Sequence, residues 1–201
     1  MANKGKYYES QFEEATIELL REAHWQDTFG DDIHRKYTDP LIEEDLRNFL
    51  AVQYKGKNLT TSEIDGVVAN LRNTGGQNDY YALRNTFLLY RDGYDFAYND
   101  GRNNPFRLEY IDFEHPDHNI FRCVNQFVME QGRENRRPDI LLFINGIPVC
   151  IIELKNPTKQ NATIRDAHTQ ICTRYMRDIP ALLKYCALAL ISDGAKNALG
   201  T

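Results

Sequence analysis

Asn145-Gly146 lies between two apolar runs, residues 140–144 and 147–152, and few other folds are open to a chain built this way. Asn-Gly tolerates left-handed backbone at both turn positions, so the flanking runs fold back on each other as a β-hairpin. Both runs are apolar on both faces, which puts the hairpin inside a sheet covered on each side. Asp139 stands at its entrance, and Glu153 and Lys155 stand at its exit. Charges persist at the ends of buried strands where something pairs with them, and for two acids a divalent cation is the usual partner. Register decides whether the acids can meet. A two-residue turn would put Asp139 and Glu153 on opposite faces. A three-residue loop, Ile144-Asn145-Gly146 with Gly146 left-handed as a bulge, puts Asp139, Ile151, Glu153 and Lys155 on one side, and this bulged register is the expected one.

Two carboxylates and an ammonium at one strand end suit metal-assisted phosphodiester hydrolysis. Carboxylate oxygens bind Mg²⁺, which prefers hard oxygen ligands and keeps several waters. The metal polarises the phosphate and acidifies a bound water. A lysine beside it holds that water or neutralises charge developing on the phosphorus. The competing structural reading is a salt bridge at a strand end, with Lys155 simply pairing one of the acids. The Pro138-Asp139 lead-in, the apolar strand before Glu153-Leu154-Lys155 and the hairpin between them favour the chemical one.

The pattern resembles the PD-(D/E)xK nuclease superfamily, and within it the N-terminal endonuclease domain of the R (restriction and motor) subunit of type I restriction–modification enzymes. Asn125-Gln126-Phe127, Arg136-Arg137-Pro138-Asp139, Asn145-Gly146-Ile147-Pro148, Glu153-Leu154-Lys155-Asn156-Pro157, Gln170, Tyr175, Ile179-Pro180 and Ile191-Ser192-Asp193-Gly194 carry the resemblance. They run in order from about residue 105 to the end; residues 26–104 match only loosely. The resemblance implies a Mg²⁺-dependent DNA endonuclease domain with Asp139 and Glu153 as metal ligands, helped by the carbonyl of Leu154, and Lys155 serving the attacking water. It also implies that Gln170 and Tyr175 form the glutamine–tyrosine motif of the RecB-like branch, beside the active site. On an ordinary helix these two lie about 140° apart, so a helix loosened between them would reconcile spacing and motif. Double-stranded DNA and the specificity and methylation subunits are the implied partners. ATP-driven translocation would belong to a motor outside these residues, since no Walker motif occurs here. Two other readings remain: a self-standing repair or mobile-element nuclease of the same superfamily, and a non-catalytic DNA-binding or subunit-docking domain.

The expected architecture is α/β, a restriction-endonuclease-like mixed β-sheet flanked by helices, with a helical insertion at about 39–91 and a catalytic core at about 105–195. Ser10 to Glu13 reads as a capping box opening a helix to about Ala23, with Phe12, Ala15, Thr16, Leu19, Leu20 and Ala23 inward. A glutamate on the first helix approaches the metal in the resembled superfamily, and Glu13 is the positional match; capping explains it equally well. Asp39-Pro40, Thr61-Ser62 and Tyr80 read as starts of the insertion's helices. Residues 93–105 read as a loop, and Phe106–Phe113 and Ile120–Met129 as strands. His115 and His118 are three apart, but Pro116 breaks any helix that would align them, so they read as loop histidines. A helix from Thr163 to Asp178 between Glu153's strand and a last strand at Tyr185–Ile191 makes those strands parallel.

A net charge of −5 is unusual for a DNA-handling protein, so its distribution matters. Residues 1–129 hold 14 basic and 22 acidic side chains, whereas residues 130–178 hold 8 and 6. The positive part surrounds the acid pair but is too weak to hold DNA tightly by itself, so DNA is expected to be delivered by another component. No apolar run suits a membrane span or signal peptide, and a cytoplasmic protein without membrane contact is expected. Cys123, Cys150, Cys172 and Cys186 are widely spaced and read as buried free thiols rather than a disulfide framework or zinc site.

Overall fold

The computed structural model describes the backbone of residues 4–155 and 164–201. Asn156-Pro157, part of the resemblance, and Thr163, read as a helix start, lie outside those residues. In chain order the elements begin α1 (Lys4–Glu22), β1 (Gln26–Phe29), α2 (Glu43–Gln53), α3 (Thr61–Asn73), α4 (Asp79–Asp92), β2 (Tyr94–Phe96) and β3 (Phe106–Leu108). They continue with β4 (Phe121–Asn125), β5 (Met129–Gln131), β6 (Glu134–Arg136), β7 (Ile140–Ile144) and β8 (Ile147–Leu154). After α5 (Ile164–Thr169) come a π-helical segment at Gln170–Tyr175, then α6 (Met176–Asp178), α7 (Pro180–Leu183), β9 (Leu188–Ser192) and β10 (Asn197–Gly200).

The chain forms two compact units, one of Met1–Pro40, Phe121–Phe143 and Pro148–Thr201, the other of Leu41–Ile120 and Ile144–Ile147. The sheet has the order β1-β4-β7-β8-β9-β10. β8 and β9 are parallel, as the intervening helix requires, while β10 returns antiparallel to β9. β1 lies parallel to β4, adding an edge strand that its polar sequence, Gln-Asp-Thr-Phe, gave no reason to expect. The result is the mixed α/β, restriction-endonuclease-like architecture.

In the first unit Ile17 of α1 packs with Cys123, Ile140, Cys150, Ile152 and Leu154, flanked by Phe12, Leu20 and Trp25. The helix is therefore rotated from the expected face: Ile17 is buried, while Leu19 is 66% exposed. It also begins at Lys4, so Ser10 lies within it and the expected capping box is not its start. In the second unit, α3 does start on a capping box, Thr60 with Glu63, and Asn78 caps α4. Asp39-Pro40 is not a cap. α2 starts at Glu43, where the Ile42 N–H is instead satisfied by the Gly146 carbonyl at 2.9 Å. The stretch after Pro105 forms only the short β3, paired with β2 inside the expected loop, and Gly132 turns the charged connection into the β5–β6 hairpin.

The central hairpin corrects the expected bulge. Asn145 (φ 52°) and Gly146 (φ 75°) are both left-handed, which is the two-residue type I′ turn. Asn145 holds it there. Its buried side chain accepts the Ile120 N–H and donates to Tyr110 O and Asn119 Oδ1, and its own N–H donates to Ile120 O. Gly146 packs against backbone of its own unit: an added Cβ would strike the Ile42 carbonyl oxygen. Gly146→Ala combines that clash with the cost of left-handed backbone, and is expected to destabilise the chain by more than about 2 kcal/mol in urea unfolding. An unchanged midpoint would show that the close approach carries no energy.

Candidate active site

Glu153 is fully buried near the end of β8, paired in register with Ile191 of β9. The ladder extends one residue further, since the Lys155 N–H donates to Ser192 O at 2.8 Å, and this pins the lysine beside the glutamate. Lys155 Nζ reaches Glu153 Oε2 at 3.2 Å. Gln170 Nε2 donates to the same oxygen at 2.7 Å, and the Tyr175 hydroxyl donates to Oε1 at 2.6 Å. Gln170 Nε2 also lies 2.7 Å from the Tyr175 oxygen, closing the cage.

The π-helical segment makes this cage possible. At the α-helical turn of about 100° per residue, Gln170 and Tyr175 would point to different sides. Over Gln170–Tyr175 the helix widens, and residues five apart come into line. Its far end is anchored by the buried Asp178, which accepts from Arg136 Nε at 2.8 Å and Arg177 Nε at 2.6 Å.

Asp139 joins the group by a route other than the bulge. It sits in a bend before β7 begins, so strand alternation does not set its direction. Its Oδ2 accepts the Leu154 N–H at 2.7 Å, which brings it beside Glu153 despite the two-residue turn. Burial, then the Glu153 charge, push the Asp139 carboxyl up to about 7 against the Leu154 N–H and Lys155. Burial likewise raises Glu153, opposed by the Tyr175 hydroxyl and Lys155. Burial and the neighbouring Glu153 charge raise the Tyr175 phenol, which therefore stays a hydrogen-bond donor.

Glu13 is close enough to add to the pressure on Asp139. It accepts from Asn125 Nδ2 at 3.0 Å and from Gln126 Nε2 at 3.1 and 3.2 Å. Adjacent strand residues normally point to opposite faces. Here the left-handed Gln126 (φ 57°) lets both amides reach one carboxylate, and Gly30, whose added Cβ would lie 2.5 Å from Gln126 O, leaves room for that backbone. The inward phase of α1, which the spacing of Leu19 and Leu20 obscured, was the missing signal for Glu13.

Asp139, Glu153, Lys155, Gln170 and Tyr175 thus lie together, with acids and lysine where the sheet's central strands end. A mixed sheet flanked by helices in this order is the restriction-endonuclease-like class. The chain belongs to the family described as Type I restriction enzyme R protein N terminus, whose model matches residues 6–201. It is 31% identical over 204 residues to the type I restriction enzyme HindI endonuclease subunit of Haemophilus influenzae, covering 96% of this chain and 19% of that subunit. The EcoprrI endonuclease subunit of Escherichia coli is 33% identical over 105 residues, 50% of this chain and 31% of that protein. The SsaAORF53P endonuclease subunit of Staphylococcus saprophyticus is 24% identical over 179 residues, 89% of this chain and 16% of that protein. The chain spans less than a third of the length of each. Among the described residues no helix is long and apolar enough to cross a membrane.

The raised Asp139 carboxyl makes a stability claim with a definite sign. Its folded form keeps a proton that the unfolded chain releases near its ordinary value of 3.8, so stability falls as pH rises from there to about 7. In metal-free solution Asp139→Asn removes that cost while its side-chain oxygen can still accept from Leu154. The variant is expected to gain on the parent by about 1–3 kcal/mol between pH 5 and 8. Parallel stability–pH curves from chemical denaturation would show that Asp139 titrates normally.

Proposed function

We propose that this chain is the DNA-cutting part of a type I restriction R subunit, a Mg²⁺-dependent endonuclease domain. The observation that carries the reading is the burial of two mutually repelling carboxylates beside Lys155. Two hard oxygen donors short of positive charge fit Mg²⁺ better than a softer ion. Asp139 and Glu153 would hold it, and when bound it would polarise the scissile phosphate and acidify a water.

The chain's own groups supply the rest. The Leu154 N–H fixes Asp139, and Gln170 and Tyr175 fix both oxygens of Glu153, so neither acid must be ordered when DNA arrives. Lys155, held by its ladder bond to Ser192, can orient the attacking water and meet the charge that develops on the phosphate. The sparse basic charge around the site supports delivery of DNA by other parts of a larger assembly, including an ATP-driven motor and the specificity and methylation subunits.

In the assembled enzyme, Asp139→Ala and Glu153→Ala are expected to abolish both Mg²⁺ binding at this site and DNA cleavage. Lys155→Ala should bind Mg²⁺ and still lower cleavage by about 10²-fold or more, with ATP hydrolysis unchanged in all three. Normal cutting by either carboxylate variant would sink the assignment. Replacing both groups that hold Glu153, as Gln170→Ala combined with Tyr175→Phe, should leave that acid without its two fixed donors. Circular dichroism should be retained while cleavage falls; full activity would show that the cage is dispensable.

A further inference from the structure

The second unit carries a cluster of side chains of metal-ligating type, Asp112, His115 and His118. Pro116 does not scatter His115 and His118, as the sequence suggested; it opens a single 3₁₀ turn, Pro116–His118, with His115 at its cap. Three residues per turn bring side chains three apart into register. The two imidazoles stack with centroids 4.9 Å apart and planes 19° from parallel. Both turn Nδ1 toward one oxygen: His118 Nδ1 is 3.1 Å and His115 Nδ1 3.6 Å from Asp112 Oδ2.

Asp112 is fixed before any ligand arrives. It is 4% exposed, and its Oδ1 accepts the backbone N–H groups of Glu114 at 3.1 Å and His115 at 2.8 Å. Gln53 Nε2 donates to Oδ2 at 2.7 Å. Asn119 ties the loop across its base, accepting the Asp112 N–H and donating to Asp112 O and Pro116 O. Asn145 Nδ2 in turn holds Asn119 Oδ1. The imidazoles, by contrast, are half open to water, with side chains 60% and 49% exposed.

We infer that Asp112, His115 and His118 bind a divalent transition-metal ion, with Zn²⁺ the best match to the donor set. The three donor atoms lie within 4.8 Å of one another. Ligands about 2.0–2.1 Å from a tetrahedral ion are about 3.3 Å apart, close to both His–Asp distances already present. Rotation of the exposed imidazoles supplies the remaining closure, and water completes the coordination. Two imidazoles with one carboxylate favour Zn²⁺, Co²⁺ or Ni²⁺ over Mg²⁺, whereas the acid pair has the opposite preference. The ion would fasten the 112–119 loop, and its binding does not depend on the nuclease reading.

The test uses the 201-residue chain with imidazole ¹⁵N labelling, titrated with Zn²⁺ in excess Mg²⁺. The His115 and His118 resonances should shift with one equivalent, while those of His24, His34 and His168 stay in place, and the thermal midpoint should rise. His118→Gln and His115→Gln should each weaken Zn²⁺ binding by about tenfold or more and remove the thermal gain, with unchanged circular dichroism. Glu153→Gln should leave the shifts intact. Equal shifts at all five histidines, undiminished binding in the His→Gln variants, or displacement of Zn²⁺ by Mg²⁺ would overturn the assignment. Titration of the two histidines with pH but no response to Zn²⁺ would reduce the cluster to an ion pair and overturn it as well.

Discussion

The burial of Glu153 sets the terms for everything around it. A carboxylate removed from water inside a sheet is costly unless hydrogen bonds or opposite charge replace the lost solvation. Three side chains do so here, Tyr175 on one oxygen and Gln170 and Lys155 on the other. They come from the next residues of the strand and from the crossover helix, so the cage exists only when β8, β9 and the helix between them are assembled. Folding of the sheet and construction of the site are therefore one event.

That demand explains the local irregularities. An α-helix cannot present residues five apart to one carboxylate, and the helix widens where it must. A strand cannot aim two adjacent amides at one acceptor, and Gln126 adopts left-handed backbone between β4 and β5. A two-residue hairpin cannot align Asp139 with Glu153 by alternation, and Asp139 sits in a bend just outside the strand. In each case regular geometry yields near the acid pair. Among the described residues the two acids are left with more negative charge than Lys155 can offset.

The hairpin tip shows the same residues serving another purpose. Asn145 and Gly146 set the turn, and they also bond to Ile42, Tyr110, Asn119 and Ile120 within the second unit, to which they themselves belong. Asn119 also closes the loop that carries Asp112, His115 and His118. A dipeptide legible as a turn signal is thus also the support for a second cluster of ionisable side chains.

Local chemistry in the sequence was enough for the hairpin, the parallel β8–β9 pair, the helices after Thr60 and Asn78, and Asp139, Glu153 and Lys155 as a group, whereas Gln170 and Tyr175 came only from the resemblance. Apolar runs, caps and Asn-Gly act over a few residues, and the motif resemblance ordered the rest. Tertiary structure reinforced the two-residue turn that Asn-Gly favours locally, since Asn145 is held by partners 25 to 35 residues away. It also set the inward face of α1, and with it Glu13, since Leu19 and Ile17 are equally apolar and only packing chooses between them. Strands β1 and β10 were not legible because edge strands can be short and polar, and their pairing is defined by the neighbour. The alignment of His115 with His118 was hidden for a related reason: proline forbids an α-helical interior but opens a 3₁₀ turn readily, and the folded loop determines which of these it meets.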